Sequence, residues 1–206
     1  MIQSKRISLL VMAAAFIAAG ALCQGVNAAQ AGAPVAVVGK PAPSFNLPNV
    51  KTGAQTSLAA LGQGKKATVV MFIATRCWVS NSYNDRMVSL AKKYAARGVA
   101  FVGINANQTE PVAEAAAHAQ THKFPFPVLK DADSSVADLY NANVTPETYV
   151  VDANGVLVYH GRIDNSIDIA EVKTHELADA LDSTLAGKQV ARPETKAFGC
   201  SIKRAR

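Results

Sequence analysis

Ala67-Thr-Val-Val-Met-Phe-Ile-Ala-Thr-Arg-Cys77-Trp-Val-Ser80 is the stretch on which the reading of this chain turns. Residues 67–74 form an apolar run rich in β-branched and aromatic side chains, the pattern of a strand buried on both faces. From Ser80 the pattern changes. Tyr83, Met87, Leu90, Ala91 and Tyr94 recur at three- and four-residue steps, which predicts one helix over 80–96, stopped by Gly98. Cys77 therefore stands at a strand-to-helix junction. There it meets N–H groups without intrahelical partners, and these, with the helix dipole, favour a thiolate over a thiol. Arg76 adds a neighbouring positive charge. A cysteine so placed reads as redox chemistry, not core packing.

Working outward, Val99–Ile104 reads as the next strand, 111–122 as an alanine-rich helix, 126–129 as a short strand and 134–140 as a short helix. Asn154-Gly155 separates the apolar runs Glu147–Asp152 and Val156–His160, a strong hairpin signal. Residues 169–185 predict the last helix. Upstream, a turn at Lys51-Thr52-Gly53 predicts a small hairpin returning through Ser57-Leu58. The order β-α-β-α-β-α-β-β-α mixes parallel crossovers with one hairpin and predicts an α/β sandwich around a central mixed sheet.

The 206 residues, half of them apolar, suffice for one well-filled domain. Residues 1–29 stand apart: Lys5 and Arg6, an alanine-rich apolar stretch from Ile7 to Leu22, and Val26-Asn27-Ala28 have the order of a secretory signal peptide and its cleavage site. The competing reading is an uncleaved membrane anchor. Residues 30–37 read as a disordered Ala/Gly/Pro leader, 38–187 as the folded domain, and 188–206 as a mobile, solvated tail. Cleavage would remove Cys23 and leave Cys77 and Cys200 in a periplasmic or other extracytoplasmic space, where disulfides persist. It also lowers the net charge from +6 to +4, with no basic–aromatic surface for nucleic acid. No Gly-rich phosphate loop, zinc-protease motif or serine-hydrolase elbow is present. His118 and His122 share a helical face, but on an alanine-rich helix they read as solvated side chains. No metal or organic cofactor is expected.

With the strand–Cys–helix junction, Thr145-Pro146 before the terminal hairpin and Gly39-Lys-Pro-Ala-Pro-Ser-Phe45 at its start, the chain resembles the thioredoxin-like redoxins. It is closest to the alkyl hydroperoxide reductase and thiol-specific antioxidant type, in an exported, peroxiredoxin-like branch with a late Gly-Cys-Ser-Ile-Lys segment, here Gly199 to Lys203. The resemblance implies a thioredoxin-like three-layer sandwich with an N-terminal hairpin extension. It also implies that Pro146 is cis and faces the thiol, while Thr145 offers its backbone to an extended substrate. Only X–Pro bonds take the cis form at modest cost, which fits that role.

Four departures from the family pattern shape the functional reading. Cys77-Trp78-Val79-Ser80 replaces the usual Cys-x-x-Cys, and a hydroxyl cannot resolve a mixed disulfide. Ser80 is left to donate to the Cys77 thiolate or to cap the helix. Trp78 stands where a proline is common and offers a shield or a substrate platform. Met71 occupies the place of the buried acid, and Ala74 that of the peroxide-binding threonine. Cys200 then has three readings: it resolves Cys77, it forms a permanent staple with Cys77, or it is an idle thiol. Arg162 either faces the thiol end of the sheet, helping Ser80 and Arg76 to stabilise the anion, or pairs with Asp164 at the surface. Asp85 and Arg86 read as solvated. The function expected is an exported thiol oxidoreductase acting on a disulfide-bearing protein or a peroxide, with an external thiol as donor. The alternative is a non-enzymatic binding module with a structural Cys77–Cys200 bond.

Overall fold

In β3 (Ala67–Phe72), all six residues are buried. Successive side chains point to opposite faces, so Val69 and Met71 enter one core cluster while Val70 and Phe72 enter the other. This strand is the middle of a five-stranded sheet in a computed structural model that describes residues 35–204. The expected signal peptide and residues 30–34 of the leader lie outside the described residues.

The sheet order is β5 (Val128–Lys130), β4 (Val99–Asn105), β3, β7 (Glu147–Asp152) and β8 (Leu157–Gly161). β3 runs parallel to β4, and β4 to β5; β7 is antiparallel to both β3 and β8. A mixed sheet with one terminal hairpin is what the order of apolar runs predicts. β1 (Asn46–Pro48) and β2 (Gln55–Ser57) form the N-terminal hairpin, followed by α1 (Leu58–Gly62). Ala36, inside the expected leader, donates its N–H to Leu139 O at 2.8 Å.

Met71, Tyr83, Met87, Tyr94, Leu177 and Leu181 fill one side of the sheet. Phe72, Ile104, Leu129, Tyr140 and Tyr149 fill the other. Helices cover both faces, which is why the central strands carry no polar alternation.

Two helices depart from the periodicity. The run expected over 80–96 is α2 (Trp78–Ser82) followed by α3 (Asn84–Ala95). They meet at Tyr83, whose N–H bonds three residues back, to Ser80 O, and whose hydroxyl donates to Asp164 Oδ1 at 2.8 Å. The run expected over 169–185 is a 3₁₀ turn, Ile169–Glu171, an extended stretch, and α6 (Glu176–Leu185). Side chains compete with the helix there: Asp168 accepts from Ala170 N, and Asn165 accepts from both Lys173 N and Thr174 N. α4 (Val112–Thr121) and α5 (Ser135–Leu139) stand as the pattern predicts.

The largest departure is the tail. Cys200–Ser201 form β9, antiparallel to β6 (Val144–Thr145), and Ile202 is buried in the second cluster. Lys203 N donates to Asn107 Oδ1, and Arg204 pairs with Asp138. The polar composition that suggests a mobile tail hides two buried aliphatic side chains, Val190 and Ile202, and a set of backbone bonds that seat it.

Candidate active site

The loop leaving β3 is gripped from the helix that follows it. Ala74 N donates to Ser80 Oγ at 3.2 Å, and Asn81 Nδ2 donates to Thr75 O at 2.9 Å. Cys77 is the N-cap of α2, and its Sγ accepts the Ser80 N–H at 3.3 Å. The sequence assigns that work to the Ser80 hydroxyl. The hydroxyl is instead turned to Ala74, and the backbone N–H of the same residue reaches the sulfur.

Cys77 is bonded to Cys200, with Cα atoms 5.8 Å apart. Cys77 is buried, 4% exposed, whereas neighbouring Trp78 is 65% exposed. The Thr145–Pro146 peptide is cis, as the resemblance implies, and Thr145 O lies 3.4 Å from Cys77 Sγ. Thr145 pairs with Cys200 across β6 and β9. Gly199, just before β9, lies so close to Thr145 that a Cβ there would overlap the Thr145 carbonyl. The structure thus brings Cys77, Trp78, Ser80, Thr145, Pro146 and Cys200 together.

The two arginines are not aimed at the sulfur. Arg76 makes a forked contact with Glu114, Nε to Oε1 at 2.9 Å and Nη2 to Oε2 at 2.5 Å, and Thr75 Oγ1 also donates to Glu114. The Arg76 hydrogen bond, then the one from Thr75, bring the Glu114 carboxyl down to about 2. Arg76 is therefore neutralised by a carboxylate rather than by a thiolate. Arg162 pairs with buried Glu176, neither with Asp164 nor with the sulfur. Asp164 belongs to Arg86, at 2.7 and 2.9 Å, with the Arg86 guanidinium 3.8 Å from the Tyr83 ring centroid. Arg86 is consequently an inward-facing residue, not the solvated one its position in the helix suggests. Long side chains reach partners far away in sequence, which periodicity does not reveal.

The His118 and His122 rings lie tilted against each other with centroids 4.4 Å apart, and burial lowers the His118 pKa. Among the described residues no group of three His, Cys, Asp or Glu side chains is arranged to hold a metal.

The sequence reading passed over two residues that touch this site, Asn107 and Glu110. Their signal is present: polar Asn105, Asn107 and Glu110 follow the apolar run of β4, at the carboxyl end of a parallel strand, where α/β sheets place their sites.

Residues 38–160 match the AhpC/TSA family. The chain is 30% identical over 143 residues to the thiol:disulfide interchange protein DsbE of Allochromatium vinosum, covering 68% of this chain and 76% of that protein. It is 29% identical over 119 residues to the thiol-disulfide oxidoreductase ResA of Oceanobacillus iheyensis, covering 57% of this chain and 61% of ResA. Among solved structures, an uncharacterized conserved protein from Geobacillus kaustophilus aligns with a TM-score of 0.76 at 34% identity, covering 82% of this chain and 93% of that one. The family match ends at residue 160, before α6 and Cys200. With its mixed sheet, its cysteine at a strand-to-helix junction and a cis-proline nearby, this chain belongs to the AhpC/TSA family and is a thioredoxin-like thiol oxidoreductase.

Proposed function

We propose that this protein is an exported thiol–disulfide oxidoreductase that cycles between a Cys77/Cys200 dithiol and the Cys77–Cys200 disulfide. In the reducing direction the Cys77 thiolate attacks one sulfur of a substrate disulfide, forming a mixed disulfide and releasing the other substrate sulfur as a thiolate. The Cys200 thiolate then attacks the Cys77 sulfur, releasing the second substrate thiolate and closing the Cys77–Cys200 bond. Two electrons pass to the substrate, and an external dithiol returns them. The observation that carries this reading is the pairing of Cys77 with a cysteine on a separate strand, laid against Thr145 beside the cis-proline. Cys200 supplies the attack that Ser80 cannot.

The other site residues take supporting roles. The Ser80 N–H is placed to hold the Cys77 thiolate. Exposed Trp78 and the Thr145–Pro146 edge form the substrate platform. Disulfide substrates are favoured over peroxides, because Ala74 carries no hydroxyl and that of Thr75 is held by Glu114. Export is supported by the basic, apolar and small-residue succession of residues 1–29.

The reduced protein, mixed with a model disulfide and separately with hydrogen peroxide, tests the reading. Cys200→Ser should accumulate a mixed disulfide at Cys77, and Cys77→Ser should be inert. Faster consumption of peroxide than of disulfide would replace the substrate class, and inertness toward both would leave the binding-module alternative. Cell fractionation with N-terminal sequencing of the mature chain tests export.

A further inference from the structure

We infer that Asn107 and Glu110 form a clasp that holds the two redox sulfurs in register, Glu110 by fixing the turn before Cys77 and Asn107 by fixing the strand that carries Cys200. The inference rests on the redox cycle proposed above, but its test reads the equilibrium of the disulfide and the titration of Cys77, not turnover of a substrate.

Glu110 is 2% exposed and lies in the loop between β4 and α4. Its Oε2 accepts from Thr75 N at 2.8 Å and its Oε1 from Arg76 N at 3.1 Å, the two N–H groups immediately before Cys77. Asn105 Nδ2 donates to Oε2, and Asn107 Nδ2 donates to Oε1 at 3.1 Å. Asn107 faces the other way with its oxygen. Its Oδ1 accepts from Lys203 N at 2.7 Å, three residues beyond Cys200, and Gln108 N donates to Lys203 O at 2.8 Å. One short loop therefore bonds to the chain just before the first sulfur and just after the second.

The loop is itself held from within. Buried Lys130 donates through Nζ to Asn105 Oδ1 at 2.7 Å, Asn107 O at 2.6 Å and Glu110 O at 2.7 Å. The Lys130 amino group thus finds three acceptors, as a buried polar group requires. A network satisfied in this way specifies one geometry. The Glu110 carboxylate reaches back across 35 residues to Thr75, and Asn107 reaches forward across 96 to Lys203. The bonds go where the two sulfurs need fixing.

The consequence is chemical. The closure constant of the Cys77–Cys200 bond measures how often the second sulfur is presented to the first, an effective concentration. The Asn107–Lys203 bond favours the seated tail, and so it favours the closed disulfide over a dithiol whose tail is freer. Removing it lowers the closure constant and makes the couple more oxidising.

The test equilibrates the protein in glutathione redox buffers and traps free thiols by alkylation. Asn107→Ala should lower the closure constant about tenfold, equivalent to about 30 mV for a two-electron couple. Lys203→Pro removes the donor from the other side of the same bond without touching the core, and should give a similar loss. The double variant should lose little more than Asn107→Ala alone, because both substitutions delete the Asn107–Lys203 bond. Glu110→Gln, in a Cys200→Ser background, should shift the pH midpoint of Cys77 alkylation, which a loss of stability alone does not move. A closure constant within twofold of the parent in folded Asn107→Ala, or additive losses in the double variant, overturns the clasp. So does an unmoved midpoint in the Glu110 variant. If Asn107→Ala fails to fold, Lys203→Pro decides alone. A protein that turns over no substrate yet shows the shared loss keeps the clasp and loses the proposed activity.

Discussion

Replacing Gly199 by alanine should unseat the Cys200 strand while leaving the domain folded. An added Cβ would overlap the Thr145 carbonyl oxygen and lie 2.7 Å from its carbon and 3.3 Å from Pro146 N. Carbon atoms in good contact sit at roughly 3.5–4.0 Å, so the strand must retreat by about 1 Å. The wall cannot yield instead, because Thr145 is buried and its peptide abuts Cys77. Overpacking of this kind costs about 1–3 kcal/mol. Here the cost falls mainly on the closed state, since Gly199 belongs to neither core cluster and an unseated tail escapes the clash. The closure constant of the Cys77–Cys200 bond should therefore fall by about 5- to 150-fold, at 1.4 kcal/mol per tenfold. Equilibration in glutathione buffers, followed by alkylation and mass analysis of Cys77 and Cys200, gives the constant directly. A Cys77→Ser, Cys200→Ser pair of proteins, with and without Gly199→Ala, should unfold at nearly the same urea concentration. A closure constant in Gly199→Ala within twofold of the parent would refute the reasoning, because β9 could not then lie against Thr145 in the oxidised protein.

The disulfide closes a sequence separation of 123 residues, which in the chain-entropy treatment is a stabilisation of about 5 kcal/mol. Phosphine reduction, or Cys200→Ser, should lower the unfolding free energy from urea titration by up to that amount; a change under about 1 kcal/mol would refute the assignment, as when the reduced tail comes loose in the folded state and the native ensemble regains the same freedom. Burial raises the Asp131 carboxyl to about 6 against the pull of the Ala137 and Val136 N–H groups. The folded state thus holds this proton more tightly than the unfolded chain, whose carboxyl titrates near 3.8. The contribution is fully present below that value and is lost as pH rises through about 6, by at most about 3 kcal/mol. Asp131→Asn should remove that part of the pH dependence, and an identical slope between pH 4 and 6 in the variant would count against it.

Much of the fold is legible in local pattern. The all-apolar run of β3, the Asn154-Gly155 turn and the three- and four-residue spacing after Ser80 each report on neighbours within a few residues, and each element lies close to where its pattern places it. Thr145-Pro146 was legible through resemblance, since the cost of a cis bond alone does not say which prolines adopt it. The helix breaks at Tyr83 and before Glu176 were not legible. They depend on where Asp164, Asn165 and Asp168 arrive after folding.

The candidate site divides in the same way. Cys77 announces itself, because a thiol between a buried strand and a helix start meets unpaired N–H groups whatever surrounds it. Arg76, Arg162 and the Ser80 hydroxyl were assigned to the sulfur by nearness in sequence or by strand position, and the structure gives them to Glu114, Glu176 and Ala74. Asn107 and Glu110 matter only because β4 ends beside β3, which brings them to the turn before Cys77 and to Lys203. The amino-acid sequence by itself thus determined the layered mixed sheet and the place of Cys77 at a strand-to-helix junction, since both follow from short-range patterning. Only the tertiary structure decided that a distant tail strand meets that cysteine, and which polar groups hold the two together. Those contacts join residues far apart along the chain, and they exist only once the sheet has closed around its core.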